Sequence, residues 1–221
     1  MEPTAVDAPP MAASLLSLAR STKGFMPDDE GLALYRAGWR AARRGLGPLV
    51  EIGSYCGKST IYLGAAARAA GTQLVSVDHH RGSEECQPGW EHHDATVVDP
   101  ATGRIDTLPW WRRAVEHGEL EGSVIGVVGD SAVVAGLITP PVSLVFIDGG
   151  HGTDPAWGDY RGWAPLVAPG GLLAIHDVFP DPADGGRPPY ELWCRALESG
   201  AFVEESSCGS LRVLTRVTEG I

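Results

Sequence analysis

Five short apolar runs recur along the 221 residues: Pro48–Ile52, Leu74–Val77, Val124–Val128, Val142–Ile147 and Leu172–Ile175. Each is apolar almost throughout, and each is followed by glycine or by acidic or histidine residues. A strand with one wet face alternates polar and apolar residues. Unbroken apolarity instead marks a strand covered on both faces, as in a parallel sheet between two layers of helices. The segments between the runs, such as Ser59–Ala70 and Trp110–His117, suit helices. Strands alternating with helices imply a doubly wound α/β sheet, whose ligands bind beyond the carboxyl ends of the strands. The residues just after each run are therefore the place to look for chemistry.

The first 46 residues follow another pattern. Glu30 to Arg44 fits one amphipathic helix, with Leu32, Tyr35, Trp39 and Ala42 on one stripe and Arg36, Arg40 and Arg43 on another. The expectation is an extra helix packed on the sheet; capping the ligand site or contacting a second subunit in a homodimer are the alternatives. The chain thus reads as one domain over 1–221, a helical extension (1–46) on a core (47–216). Two stretches interrupt the alternation, His79–Thr107 and the Pro- and Gly-rich Pro180–Pro189, and both are expected to be loops that shape a binding site. Ala201–Ser207 and Ser210–Arg216 flank Cys208-Gly209 and read as a terminal hairpin.

Charge and cysteine content remove several function classes. The net charge of −11 argues against a nucleic-acid partner and against an anionic membrane surface. The four cysteines have no CxxC spacing, so neither a disulfide framework nor a zinc ribbon is expected, and a reducing cytoplasm is the default compartment. The N-terminus, with Glu2 and Asp7 ahead of its first basic residue Arg20, does not read as an export signal. The apolar stretch Val133–Ile147 is broken by Pro140 and Pro141 and cannot span a membrane.

Chemistry gathers at the ends of the runs. Glu51-Ile52-Gly53-Ser54-Tyr55-Cys56-Gly57-Lys58-Ser59-Thr60 holds two glycines four apart, which allow a sharp turn and close approach to a ligand; a purely structural turn is the other reading. It is neither a phosphate loop, whose glycines stand one position further apart, nor GxGxxG. Asp78 ends the second run, 25 residues after Gly53, where a carboxylate can accept from both ribose hydroxyls or cap a helix. Asp130 and Ser131 follow the third run, able to bond an adenine amino group or to cap the next helix. The fourth run leads into Asp148-Gly149-Gly150-His151 and the fifth into His176-Asp177-Val178. Two carboxylates aimed at one point need a cation or a shared proton, and an oxygen-rich set suits Mg²⁺ or Mn²⁺ better than zinc. The histidines of His79-His80 and His92-His93 offer a zinc reading against one of ordinary loop polarity. Trp90, Trp110 and Trp111 suit either stacking on a sugar or core packing.

Taken together and in this order, EIGSYCGKST, SVDHH, VGDSA, FIDGGH and LLAIHDV resemble the motifs of class I S-adenosylmethionine-dependent O-methyltransferases, over roughly Leu49 to Arg216. The resemblance implies a Rossmann-like, seven-stranded, mostly parallel sheet with an antiparallel last strand and helices on both faces. It implies that Glu51, the turn Gly53, Ser54, Tyr55 and Gly57, and Ser59 hold the methionine part of S-adenosylmethionine. Asp78 then holds the ribose, while Asp130 and Ser131 flank the adenine. FIDGGH followed by an acidic strand end is similar to the metal-dependent members of that family, some of which act on sugars. They take ligands from the first Asp and from two adjacent residues at the next strand end. Asp148 and Asp177 match; the third place falls to His176 or to water, because Val178 follows Asp177. The loops His79–Asp94 and His176–Tyr190 resemble those of the mycobacterial methylmannose polysaccharide 1-O-methyltransferases.

The reading is an O-methyltransferase acting on a hydroxyl of a saccharide or similar small molecule, with Mg²⁺ or Mn²⁺ at Asp148, Asp177 and His176. His151 is the expected general base. Another natural product as acceptor, a metal-dependent hydrolase and a silent nucleoside-binding module are the alternatives.

Overall fold

The computed structural model describes residues 7–90, 92–139 and 141–218. Two residues named in the sequence reading, Glu2 and Pro140, lie outside that set. Two helices come first, α1 (Ala13–Ser21) and α2 (Asp28–Arg43). The alternating part runs β1 (Leu49–Ile52), α3 (Lys58–Ala70), β2 (Leu74–Asp78), a two-stranded ribbon β3 (Val98–Asp99) and β4 (Arg104–Ile105), and α4 (Leu108–His117). It continues through β5 (Val124–Val128), α5 (Ser131–Ala135), β6 (Val142–Ile147), α6 (Thr153–Trp163), β7 (Val167–Ile175) and α7 (Arg187–Glu198). The chain closes on β8 (Phe202–Cys208) and β9 (Leu211–Arg216).

The main sheet has seven strands in the order β5-β2-β1-β6-β7-β9-β8. The first five are parallel, β9 pairs antiparallel with both β7 and β8, and the expected terminal hairpin is therefore present. Side chains alternate across the strands. Leu49, Leu74, Leu144, Phe146 and Leu172 face a core shared with α1, α2, α3 and α4. Val50, Ile52, Val145, Ile147, Leu173 and Ile175 face one shared with α5, α6 and α7. Both faces are dry at β1, β6 and β7, as their unbroken apolar runs require, but not at the edge strand β5, where Ile125 and Val128 are exposed against expectation. Ile52, Ile147 and Ile175 lie in register, so β1, β6 and β7 end side by side. The residues that follow them emerge at one rim.

Two expectations need correction. Pro180–Pro189 is not loop throughout, since Arg187, Pro188 and Pro189 form the first turn of α7. Proline is tolerated there because its missing N–H has no partner within the helix in any case. The loop His79–Thr107 carries the β3–β4 ribbon, where Val98 pairs with Ile105. Helix α6 escapes a periodicity reading because Pro155, Gly158 and Gly162 dilute it. It forms because Ala156, Tyr160 and the fully buried Trp163 share one face against the sheet. Among the described residues, no helix is long and apolar enough to cross a membrane.

Candidate active site

The rim holds a cavity of about 650 Å³, bounded by the β1–α3 turn, the ends of β2, β5, β6 and β7, and the segment between α1 and α2. Gly53 and Gly57 both have positive φ, +83° and +97°. A Cβ on Gly53 would lie 2.2 Å from the carbonyl oxygen of Asp148, so only glycine allows β1 and β6 to end this close together. Asp78 fastens the turn. Its Oδ2 accepts from the backbone N–H of Ser54 (2.9 Å) and Tyr55 (2.8 Å), and its Oδ1 from that of His80 (2.7 Å).

Ser54, Tyr55, Ser59, Asp78, Asp130 and Ser131 all line the cavity with Gly53. Two of the residues expected to hold the methionine part sit behind its wall. Gly57 caps α3 against Ala114 and Trp111. Glu51 is fully buried; its Oε2 accepts from Thr60 Oγ1 (2.6 Å) and Ser76 Oγ (2.7 Å). Burial pushes its carboxyl up to about 7. Asp130 does cap α5, accepting from Val133 N–H at 3.1 Å, which leaves its second oxygen free of that bond.

The acidic corner departs further from expectation. Asp148, His151 and Asp177 each offer a donor atom, all within 4.8 Å of one another, and form the candidate metal-binding group. His176 is not part of it. Its ring is 4% exposed; Nε2 lies 2.5 Å from Glu30 Oε2, while Nδ1 faces Asp148 Oδ1 at 3.1 Å and Asp177 Oδ2 at 3.3 Å. With both nitrogens engaged by carboxylates, His176 braces the acids from behind. Burial opposes the charge on its ring, but the charge of Asp148 and bonds to Asp148, Asp177 and Glu30 outweigh it and raise the pKa to about 12. Glu30 also accepts from Ser210 N–H (2.7 Å) and Ser210 Oγ (3.2 Å).

His151 lies between two carboxylates, Nδ1 3.1 Å from Glu85 Oε2 and Nε2 3.1 Å from Asp177 Oδ2. Burial disfavours its charge, yet the bonds to Asp177 and Glu85 prevail and raise its pKa to about 10. The two carboxylates thus favour the imidazolium form, which can donate from both nitrogens. The expected role of general base needs a neutral ring, which this pairing with two carboxylates disfavours. Burial alone would raise the Asp177 carboxyl, but the bonds from His151 and His176 hold it well below the usual carboxylate range. Asp177 has φ of 55°, a left-handed conformation uncommon outside glycine. The N–H of Val178 bonds the carbonyl of Ser210 at 3.0 Å and helps hold the turn.

Glu30, Glu85 and Asp159 are site residues that the motifs do not show. Glu30 had a signal, since it is a lone acid on the buried stripe with Leu34, Ala37 and Ala41. Asp159 had a similar one, lying between Ala156 and Trp163 on the buried face of α6. Glu85 had none. Among the described residues, the histidines of the long loop gather no ligand set: His80 Nδ1 meets Thr107 Oγ1 at 2.8 Å and His93 Nδ1 meets the Cys86 carbonyl at 3.0 Å. Trp111 is core, with its Nε1 donating to Thr60 Oγ1 (3.1 Å). Trp90, half exposed, stands at the cavity mouth with Phe25 and His92, the last two 4.8 Å apart between ring centroids. Lys23 and Asp94 join the two sides of that mouth by an ion pair of 2.6 Å.

Solved structures share this architecture. The O-methyltransferase NovP superposes with a TM-score of 0.66 at 15% identity, covering 86% of this chain and 81% of that one. The O-methyltransferase TomG from Streptomyces achromogenes, involved in tomaymycin synthesis and solved in complex with S-adenosylmethionine, gives 0.61 at 16%, covering 97% and 93%. An O-methyltransferase from Bacillus cereus, in complex with S-adenosylhomocysteine, gives 0.61 at 16%, covering 94% and 92%. These likenesses establish the fold, a Rossmann-like methyltransferase sheet with antiparallel closing strands. The family described as "Methyltransferase domain" matches residues 50–178, which is more than half of the sequence, and the chain belongs to that family of methyltransferases.

Proposed function

We propose that the chain transfers the methyl group of S-adenosylmethionine to a hydroxyl of a saccharide, with a divalent cation, Mg²⁺ or Mn²⁺, at Asp148, His151 and Asp177. The 1-OH of a 3-O-methylmannose oligosaccharide is the specific acceptor we favour, on the likeness of the two loops described above. One observation carries the reading: the glycine turn with Asp78 and the Asp148–His151–Asp177 group open into the same cavity. Its volume is in the range that encloses a nucleoside-sized ligand together with part of an acceptor.

Ser54, Tyr55, Ser59 and Asp78 surround the methionine and ribose end in this reading, and Asp130 and Ser131 the base. Glu51 in this reading acts from behind the turn, holding Thr60 and Ser76. S-adenosylmethionine supplies an electrophilic methyl, so the protein's work is to align the acceptor oxygen and ease the loss of its proton. A divalent ion supplies a lowered pKa at a hydroxyl it touches. Two carboxylates and one imidazole of this chain are a suitable donor set, provided that His151 gives up its proton, because a ligating histidine is neutral. His151 thus changes role, from general base to ligand. His176, held by Glu30, keeps Asp148 and Asp177 in place.

The extension 1–46 and the core 47–216 act as one domain in this reading, since α2 delivers Glu30 into the site. A homodimer is supported by the exposed apolar side chains Ile125, Val128, Val133 and Leu137 along the β5 edge and α5. A cytoplasmic location is supported by four free thiols.

The test is calorimetric binding of S-adenosylhomocysteine, followed by methylation assays on mannosides with and without Mg²⁺. One-site binding that Asp78→Ala abolishes, and Mg²⁺-dependent product, are expected. Folded protein that binds metal but not the nucleoside would overturn the reading in favour of a hydrolase.

A further inference from the structure

Asp159 has no part in the reading above, yet it is one of the most buried acids of the cavity wall. It projects from α6, is 4% exposed, and lines the cavity beside Asp130, Ser131 and Gly149. Its Oδ1 accepts a short hydrogen bond from Ser131 Oγ. Its Oδ2 packs against the backbone of Gly149, where an added Cβ would come within 2.6 Å of it. The carboxylate is therefore tied to Ser131 on one side and lies close against the β6 loop on the other.

The consequence lies in the direction of one proton. A serine hydroxyl has a single proton to donate and two lone pairs to accept with. Once that proton is committed to Asp159, Ser131 shows only lone pairs towards the cavity. The neighbouring Asp130 carboxylate is also acceptor-only, with Oδ1 taken by Val133 N–H. Ser131 and Asp130, the two side chains that would flank the base, thus both present acceptors. Burial pushes the Asp159 carboxyl up to about 6, with the charges of Asp130 and Asp78 adding to the shift, so above that pH it is ionised.

We propose that Asp159 is a specificity-determining residue that makes the nucleoside site select a base carrying an amino group, by holding Ser131 as an acceptor towards that base. This rests on the cofactor reading above. Adenine presents an amino donor to such a wall. Hypoxanthine, which differs by a carbonyl oxygen in the same place, meets it lone pair to lone pair. Rejection by unpaired or opposed polar groups is the more effective form of selectivity.

The experiment is calorimetric titration, at about pH 8 so that the carboxyl is ionised, with S-adenosylhomocysteine and with S-inosylhomocysteine, its deaminated counterpart. Wild-type protein is expected to prefer the adenine ligand by about 100-fold or more. In Asp159→Ala and Asp159→Leu, which offer Ser131 no acceptor, its proton is free to turn to the cavity, and the preference is expected to fall to about tenfold or less. A merely structural role would weaken both ligands alike and leave the ratio intact, and that result overturns the inference. Should neither Asp159 variant fold, Ser131→Ala reads the same ratio, and an unchanged preference there is equally fatal. Wild-type protein that binds neither ligand overturns the cofactor reading, and this inference with it. Wild-type protein that binds both equally overturns the inference alone.

Discussion

Replacing Glu30 by glutamine tests whether the N-terminal extension is part of the site. The substitution keeps the shape and an oxygen for Ser210 N–H, but turns an amide N–H₂ or a neutral oxygen towards His176 Nε2. Breaking a buried ion pair by removing one partner costs about 3–5 kcal/mol. The lower end applies here, because Asp148 and Asp177 remain on the other side of the ring. About 3 kcal/mol corresponds to a loss of about 6–12 °C in melting temperature for a chain of this size. The pH dependence follows from the two shifts. The His176 pKa, raised from 6.5 to about 12, gives stability fully present below 6.5 and lost as pH rises through the folded value. Glu30, whose carboxyl is depressed by the His176 bond despite its burial, gives stability present above 4.5 and lost as pH falls through its folded value. The gap between wild type and Glu30→Gln should therefore be full from pH 4.5 to 6.5. It should narrow on the acid side as Glu30 takes up its proton below 4.5, and on the alkaline side once the variant's His176 has lost its proton and the wild type's has not. Thermal melts monitored by circular dichroism at several pH values give the comparison. Equal melting temperatures near pH 6 would show that Glu30 is not engaged as described and would refute the reasoning.

Other outcomes follow from the same geometry. Gly53→Ala places a Cβ 2.2 Å from the Asp148 carbonyl at a φ of +83°, and should cost at least about 2 kcal/mol in urea unfolding. Asp78→Asn keeps the size but weakens the acceptor for three backbone N–H groups; S-adenosylhomocysteine affinity should fall at least about tenfold by calorimetry. Asp148→Asn should abolish Mn²⁺ binding read by electron paramagnetic resonance while leaving nucleoside affinity within about threefold, as expected of separate neighbouring subsites. In the metal-free protein, the His151 ring should keep its proton through about pH 9, seen as unchanged imidazole chemical shifts; titration near 6.5 would contradict the pairing with Glu85 and Asp177.

The architecture was legible because burial on both faces leaves an unmistakable mark. Val142–Ile147 has no polar residue but Ser143, and it became the central strand β6. The strand-end residues Gly53, Asp78, Asp130, Asp148 and Asp177 were legible for the related reason that a doubly wound sheet delivers its chemistry there. The division of labour between His151 and His176 was not. Each follows or precedes an acid at a strand end, and only the three-dimensional position of Glu30, 146 residues away, shows which ring is walled off. Helix α6 was missed because packing of Trp163 and Tyr160 overrides the weak helix propensity of its glycines and proline. The matched family segment likewise stops short of the site it belongs to, since Glu30 lies before it and Ser210 after it.

The bond between Glu30 and Ser210 joins positions 180 residues apart in a chain of 221. Closing so long a loop is entropically costly and comes late among folding events. On the ribosome, α2 is made early, and its acid must wait for the 146 residues to His176 and then for Ser210 before it finds both partners. Until Ser210 emerges, His176 has only part of its surroundings and the Asp148–Asp177 pair lacks its brace. The five parallel strands, by contrast, are all made before Ser210, so a growing polypeptide holds that part of the sheet before it holds the braced acidic corner.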